Sequence, residues 1–168
     1  AVVTSAYHYR EDFDEETGQW QYDEGQCVNI ISLDVSTPDA PSVISRQSLD
    51  GTFCGAYTDS GRVFIVTSVF VKALNPDVPE SFLPSVSHGD ERELLSPEDI
   101  VILPENTCSG YTVIAGFDVS ACEITAARAV LGGLGRLYMD SGAAYMILSC
   151  SSLRESQSYR QSIYTVVD

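Results

Sequence analysis

The chain has 168 residues and carries 24 acidic against 9 basic side chains, a formal net charge of −15. That is the length of one domain, and a hydrophobic share of 44% is enough for a packed core, which excludes wholesale disorder. With a pI near 4.2 the chain has no basic surface for tracking phosphates or anionic membranes, since both draw their affinity from Lys and Arg.

In chain order, Ala1-Val2-Val3-Thr4 begins with neither a Met nor a charged-then-apolar leader and reads at once as a strand over residues 1–7. The other end, Ser162-Ile163-Tyr164-Thr165-Val166-Val167-Asp168, is again strand-like, so the chain is expected to be a segment of a longer protein. Residues 8–27 form a first insertion. Strands follow at 28–35, about 43–49, about 54–58 and 63–71, then a second insertion over about 72–108. Further strands are expected at 111–119, about 124–130, about 134–139, 143–150 and 162–168. Each is rich in Val, Ile, Tyr, Thr and Phe and bounded by Gly, Pro, Asp or Ser. The longest apolar run, Val63 to Val71, is far short of the roughly 20 residues of a membrane-spanning helix, so no direct membrane insertion is expected.

An internal repeat organises these strands. Leu33-Asp34-Val35-Ser36 matches Phe117-Asp118-Val119-Ser120, Arg46 matches Arg128, and Tyr57-Thr58-Asp59-Ser60-Gly61 matches Tyr138-Met139-Asp140-Ser141-Gly142. Self-similarity at a fixed period marks a repeat architecture. We name the strands of the unit A (1–7, 63–71, 143–150), B (28–35, 111–119, 162–168), C and D. About 41 residues per unit without insertions match a four-stranded propeller blade, which takes about 40–45. The expected fold is all-β: two four-stranded antiparallel blades and a partial third, with repeat units about 1–59 and 63–140 and a partial 143–168. Asp34 and Asp118 close strands, Asp-Ser-Gly makes the D to A turn, and Asp50-Gly51 and Leu131-Gly132-Gly133 are expected to make tight C to D turns. A blade cannot bury its own faces, so partners are expected to include the remaining blades of the parent protein or another copy of the chain.

The motifs Leu33-Asp34-Val35-Ser36-Thr37-Pro38-Asp39-Ala40-Pro41, Arg46, Leu49-Asp50-Gly51, Gly61-Arg62-Val63-Phe64-Ile65-Val66-Thr67 and Tyr111-Thr112-Val113-Ile114 resemble those of the secreted C-terminal β-propeller domain family of bacteria and archaea. The resemblance covers about residues 28–168. It implies a propeller fold and an extracellular, often membrane-anchored location, and it implies no established chemistry. The chain departs from it at Phe53-Cys54-Gly55-Ala56, where family members often carry Ser-Ser-Arg.

Candidate sites lie in the insertions, because binding residues concentrate on loops held by a rigid scaffold. Residues 11–24 contain seven carboxylates, Glu11, Asp12, Asp14, Glu15, Glu16, Asp23 and Glu24, interleaved with aromatics. Phe13, Trp20 and Tyr22 are the ligand-binding candidates, for a basic protein partner or a glycan. Asp12, Asp14 and Glu16 are the metal candidates, with calcium the ion that clustered oxygens favour, although the order of acids is not that of an EF-hand. No other cofactor is expected. In the second insertion, Ser96-Pro97-Glu98-Asp99 has the form of a helix start and predicts one short helix. His8 and His88 stand near no nucleophile motif, and Leu131-Gly132-Gly133-Leu134-Gly135 lacks the Lys of a phosphate loop.

Cys27, Cys54, Cys108, Cys122 and Cys150 show no metal-ligand spacing. They read as structural thiols, with one or two bridges as the alternative. The reading as a whole favours a non-enzymatic extracellular or cell-surface scaffold that binds protein or glycan through its A–B insertions, with no nucleic acid partner. The alternatives are a hydrolase or lyase whose site spans further blades, with Asp90, Glu91 or Asp99 supplying acids, and a calcium-dependent adhesion module.

Overall fold

Runs of β-branched and aromatic residues separated by Gly, Pro and Asp form extended chain and almost nothing else. The structure, a computed structural model, describes residues 1–14, 18–71, 75–102, 109–132, 135–140, 143–151 and 159–167. In chain order the strands are β1 (Val2–Asp14), β2 (Gln19–Asp34), β3 (Ser42–Asp50), β4 (Thr52–Asp59), β5 (Arg62–Phe70), β6 (Ser85–His88) and β7 (Glu91–Leu94). They continue with β8 (Ile100–Ile102), β9 (Gly110–Asp118), β10 (Glu123–Leu131), β11 (Gly135–Asp140), β12 (Ala143–Ser151) and β13 (Tyr159–Val167). The fold is all-β, as the repeat requires.

The strands form three sheets, ordered β1-β2-β3-β6-β7, β4-β5-β9-β10-β8 and β11-β12-β13. In the letters of the repeat, the second sheet is D-A-B-C, the first A-B-C and the third D-A-B. The sheets therefore divide the chain between C and D, one strand earlier than the repeat units 1–59 and 63–140. The reason lies in the two turns. Asp59-Ser60-Gly61-Arg62 is a two-residue hairpin with Ser60 at φ 48° and Gly61 at φ 83°, the doubly left-handed turn whose twist suits paired strands. Gly51 is a crossing instead of the expected tight turn. It sits at φ 105°, and a Cβ there would lie 2.5 Å from the Ser68 carbonyl oxygen. Only glycine lets the chain pass so close to β5 as it steps from β3 into the next sheet.

The core lies between the first two sheets. Val28, Ile30 and Leu49 of the first meet Ile65, Val113, Ala115, Phe117 and Ala129 of the second, with none more than 1% exposed. On β2 the buried positions alternate from Val28 through Ile30 to Ser32, with Cys27 buried beside them, much as in a sheet covered on one face. On β5 and β9 they do not: Ile65 to Ser68 and Gly110 to Ala115 are buried without a break, so the second sheet is closed on both faces. Polar groups add a tie across the interface. The Gln47 side chain on β3 accepts from the Ile124 backbone N–H at 2.6 Å and donates to the Cys122 carbonyl at 3.3 Å, while Ser45 Oγ donates to the same carbonyl at 2.7 Å.

The second insertion is not a loop with one short helix. It contributes β6, β7 and β8 and two 3-10 turns, Pro79–Ser81 and Pro97–Asp99. Ser96 caps the second turn through the Glu98 N–H at 3.4 Å. The β-branched run Ile100-Val101-Ile102 then leaves helical geometry to pair in parallel with Ala129 to Leu131 of β10. Earlier in the insertion, β6 pairs with Gln47 to Leu49 of β3. The insertion therefore covers the free edge of a C strand in each sheet, and an uncovered edge is a template for unwanted pairing.

Asp34 and Asp118 are turn-formers. Asp34 Oδ1 accepts from the Ser36 N–H at 2.9 Å. Asp118 Oδ1 accepts from the Ser120 N–H at 2.8 Å, the Ser120 hydroxyl at 2.6 Å and the Ala121 N–H at 3.1 Å. Such bonds favour the ionised acid: the Ser36 N–H holds the Asp34 carboxyl below its ordinary value, and the Ser120 hydroxyl with the Ala121 and Ser120 N–H groups does so for Asp118. A carboxyl depressed in the folded state stabilises above its unfolded value and loses that contribution as pH falls through the folded one.

Two outcomes are expected. In an NMR titration both Asp34 and Asp118 have midpoints below the ordinary value of about 3.9, and a midpoint at or above it for either would remove its turn-forming role. Replacing Gln47→Met keeps the volume but strands a buried N–H, so urea unfolding is expected to show a loss of about 1–3 kcal/mol. The exposed neighbour Arg46→Gln is expected to stay within about 0.5 kcal/mol of the parent.

Candidate functional site

The first insertion is built as an arm. The β1–β2 pairing continues without a register shift from Val2↔Ile31 to Asp14↔Gln19, so residues 8–14 and 19–25 are the two strands of one ribbon. In that register Phe13 pairs with Trp20, Glu11 with Tyr22, Tyr9 with Glu24, Asp12 with Gln21, Asp14 with Gln19 and Arg10 with Asp23.

Of the ligand candidates, Phe13 and Trp20 are register partners and Tyr22 lies two positions further along β2, while the metal candidates Asp12 and Asp14 lie on β1. The side chains of all five, and Glu16 altogether, lie outside the described part of the structure. Among the described residues, no group of three or more His, Cys, Asp or Glu is placed to hold a metal ion.

The base of the arm is fixed to the second sheet. The Gln26 backbone carbonyl accepts from the Gly51 N–H at 2.7 Å, and its side-chain oxygen accepts from the Thr52 hydroxyl. The end of the second sheet beside this joint exposes Phe53 and Phe70, at 39% and 63%.

A second cluster, which the sequence reading passed over, lies where the second insertion meets the first sheet. Asp50 Oδ2 accepts from the Ser85 N–H at 2.8 Å, the Ser85 hydroxyl at 2.7 Å and Arg92 Nη2 at 3.3 Å. Arg92 Nε donates to Ser85 Oγ at 2.7 Å. The Asp50 backbone carbonyl accepts from Thr67 Oγ1 at 2.6 Å, which ties the same residue to β5. The cluster anchors the β6–β7 hairpin and has the character of a clamp. Its signal in the sequence was a break in the repeat: Asp50 stands where the second unit has Gly132, and Gln47 stands where it has Ala129. A polar residue that departs from its repeat partner marks a contact the partner does not make.

Cys27, Cys54 and Cys122 are free thiols. Burial, reinforced by the Asp50 carboxylate, pushes the Cys27 thiol up, away from the thiolate a nucleophile or metal ligand requires. The side chains of Cys108 and Cys150 lie outside the described residues, so their pairing is not part of this picture. His88 sits exposed at the tip of the β6–β7 hairpin opposite Glu91, beside the left-handed Gly89. Asp99 meets Arg128 at 4.0 Å on the open surface, a pair of small energetic value.

Removing the Asp50 carboxylate leaves Ser85 and Arg92 without their shared acceptor. Asp50→Ala is expected to lower global stability by about 1–3 kcal/mol in urea unfolding. It is also expected to speed amide exchange in residues 85–94 more than in β9. Uniform exchange across both segments would show that Asp50 does not clamp the insertion.

The chain matches the family described as Beta propeller domain over residues 1–167. No curated protein and no solved structure matches it. The repeated four-strand unit, the largely antiparallel sheets and a match over nearly the whole length agree, and the chain belongs to the β-propeller domain family.

Proposed function

We propose that this propeller segment is a non-enzymatic binding scaffold that works outside the cell or on its surface and engages a protein or glycan through the arm formed by residues 8–25. One observation carries the reading: the β1–β2 register runs unbroken from Val2↔Ile31 to Asp14↔Gln19, so the aromatic-rich residues 8–14 and 19–25 form a paired ribbon that continues the strands supplying Val28 and Ile30 to the core. Aromatic residues are the usual anchors of recognition surfaces, because they bury large area at small entropy cost. The propeller supplies a rigid base, and the Gln26 to Gly51 and Thr52 bonds fix the arm to it. Fold alone assigns no function to a propeller, so the argument rests on the arm. The extracellular location rests on the resemblance of the repeat motifs to a secreted family.

The test removes the arm and keeps the scaffold. Residues 9–24 are replaced by a two-residue Asn-Gly turn that closes β1 on β2. Parent and variant are then applied to arrays of oligosaccharides and of short peptides. The variant is expected to keep a cooperative melt and to lose the array features that the parent retains. If every feature bound by the parent is bound equally by the arm-less variant, the arm is not the recognition element and the reading falls.

A further inference from the structure

The repeat lets the first two sheets be compared rung by rung. From that comparison we infer that the free face of the first sheet ends the stack: water covers it, and neither a further blade nor a second copy of the chain seats on it. The inference is independent of the arm. In the second sheet, the face turned toward the first carries the rungs Ile65-Ala115-Ala127, Thr67-Val113-Ala129 and Val69-Tyr111-Leu131. All are apolar but Thr67, and its hydroxyl donates to the Asp50 carbonyl at 2.6 Å.

The corresponding rungs of the first sheet are Val2-Ile31-Arg46, Thr4-Asn29-Ser48 and Ala6-Cys27-Asp50. The match follows strand register from the common origin Leu33 and Phe117, because bulges displace the C strands from the alignment of their motifs. These residues lie on the side away from the core, since Val3, Val28, Ile30 and Leu49, which alternate with them, pack into it. The second insertion prolongs the middle rung with Ser87 and Arg92. Where the second sheet offers Val113 and Ala129 for packing, the first therefore offers Asn29 and Ser48. Arg46 stands for Ala127, and Asp50 for Leu131. Thr4 and Arg46 are exposed, and Asn29, Ser48 and Ser87 are half-buried.

The sheets of this chain stack through apolar surface such as Val28, Ile30 and Leu49. Pressed against such a surface, Asn29, Ser48 and Arg46 would leave water and meet no hydrogen-bonding group. Each stranded amide or hydroxyl weakens association about tenfold or more, and a guanidinium weakens it further. In water the same groups are satisfied. Stacked repeats stay soluble when the terminal unit carries a polar outer face, and the first sheet has that face while its repeat partner does not.

The full chain is studied by NMR with the soluble nitroxide TEMPOL, which broadens the signals of groups that meet solvent. The Asn29 side-chain amide is expected to broaden equally in dilute and concentrated solution, while the Val113 backbone amide is spared in both. Shielding of Asn29 on concentrating the chain would overturn the inference, because the face would then seat a second copy. The triple variant Asn29→Val, Arg46→Ala and Ser48→Ala gives the face the residues of the second sheet. Its mean mass in sedimentation is expected to exceed the parent's by about twofold at equal concentration, as for any large exposed apolar patch. A mass equal to the parent's, with a cooperative melt, would also overturn the inference, since polarity would not be what keeps the face free. The double variant Asn29→Lys and Ser48→Lys guards against misfolding of the first. It is expected to keep the parent's mass, and a smaller mass would show that this face joins copies of the chain.

Discussion

A propeller sheet has two faces and two edges, and none of them can be left bare. The first two sheets meet this constraint for each other, by placing Val28, Ile30 and Leu49 against Ile65, Val113, Ala115 and Phe117 with almost no residual exposure. Two further features serve this interface. Gly51 lets the chain cross from one sheet to the next at a spacing that any side chain would block. Gln47 satisfies the backbone groups of Cys122 and Ile124 where the edge of one sheet is pressed on the other. A polar group left unpaired there would cost about as much as several buried methylenes gain.

The two insertions meet different needs. The second, between β5 and β9, returns along the free edges of β3 and β10 and pairs with both. Its anchor is a single carboxylate, Asp50, which accepts three bonds from Ser85 and Arg92 at a site with side-chain exposure of 18%. The first insertion continues β1 and β2 as a paired ribbon through residues 8–14 and 19–25.

The strand plan was legible in the sequence because β-branched runs punctuated by Gly, Pro and Asp leave few alternatives, and because the repeat doubled the signal at each position. The roles of Asp34 and Asp118 were legible for the same reason, since the Asp-x-Ser motif bonds its own backbone and needs no distant partner. The phase of the sheets was not legible. A repeat shows its period but not where the chain leaves one sheet for the next, and that point depends on Gly51 fitting against Ser68. The short helix expected after Ser96 shrank to one 3-10 turn because β10 offered the Ile100 to Ile102 run a partner, a tertiary override of a sound local start signal.

The candidate site divides in the same way. The sequence by itself determined an all-β repeat, a strongly acidic chain, and an insertion in which aromatic and acidic residues alternate. It could not say whether Phe13, Trp20 and Tyr22 share a surface with Asp12 and Asp14, because that depends on whether the insertion loops or pairs. Only the tertiary structure decided that it pairs, by carrying the β1–β2 register unbroken through residues 8–14 and 19–25. Asp50, Ser85 and Arg92 are far apart along the chain, and no local pattern joins residues separated by 35 and 42 positions. Local chemistry is written in neighbouring residues, whereas register and long-range clamps exist only once the strands have chosen their partners.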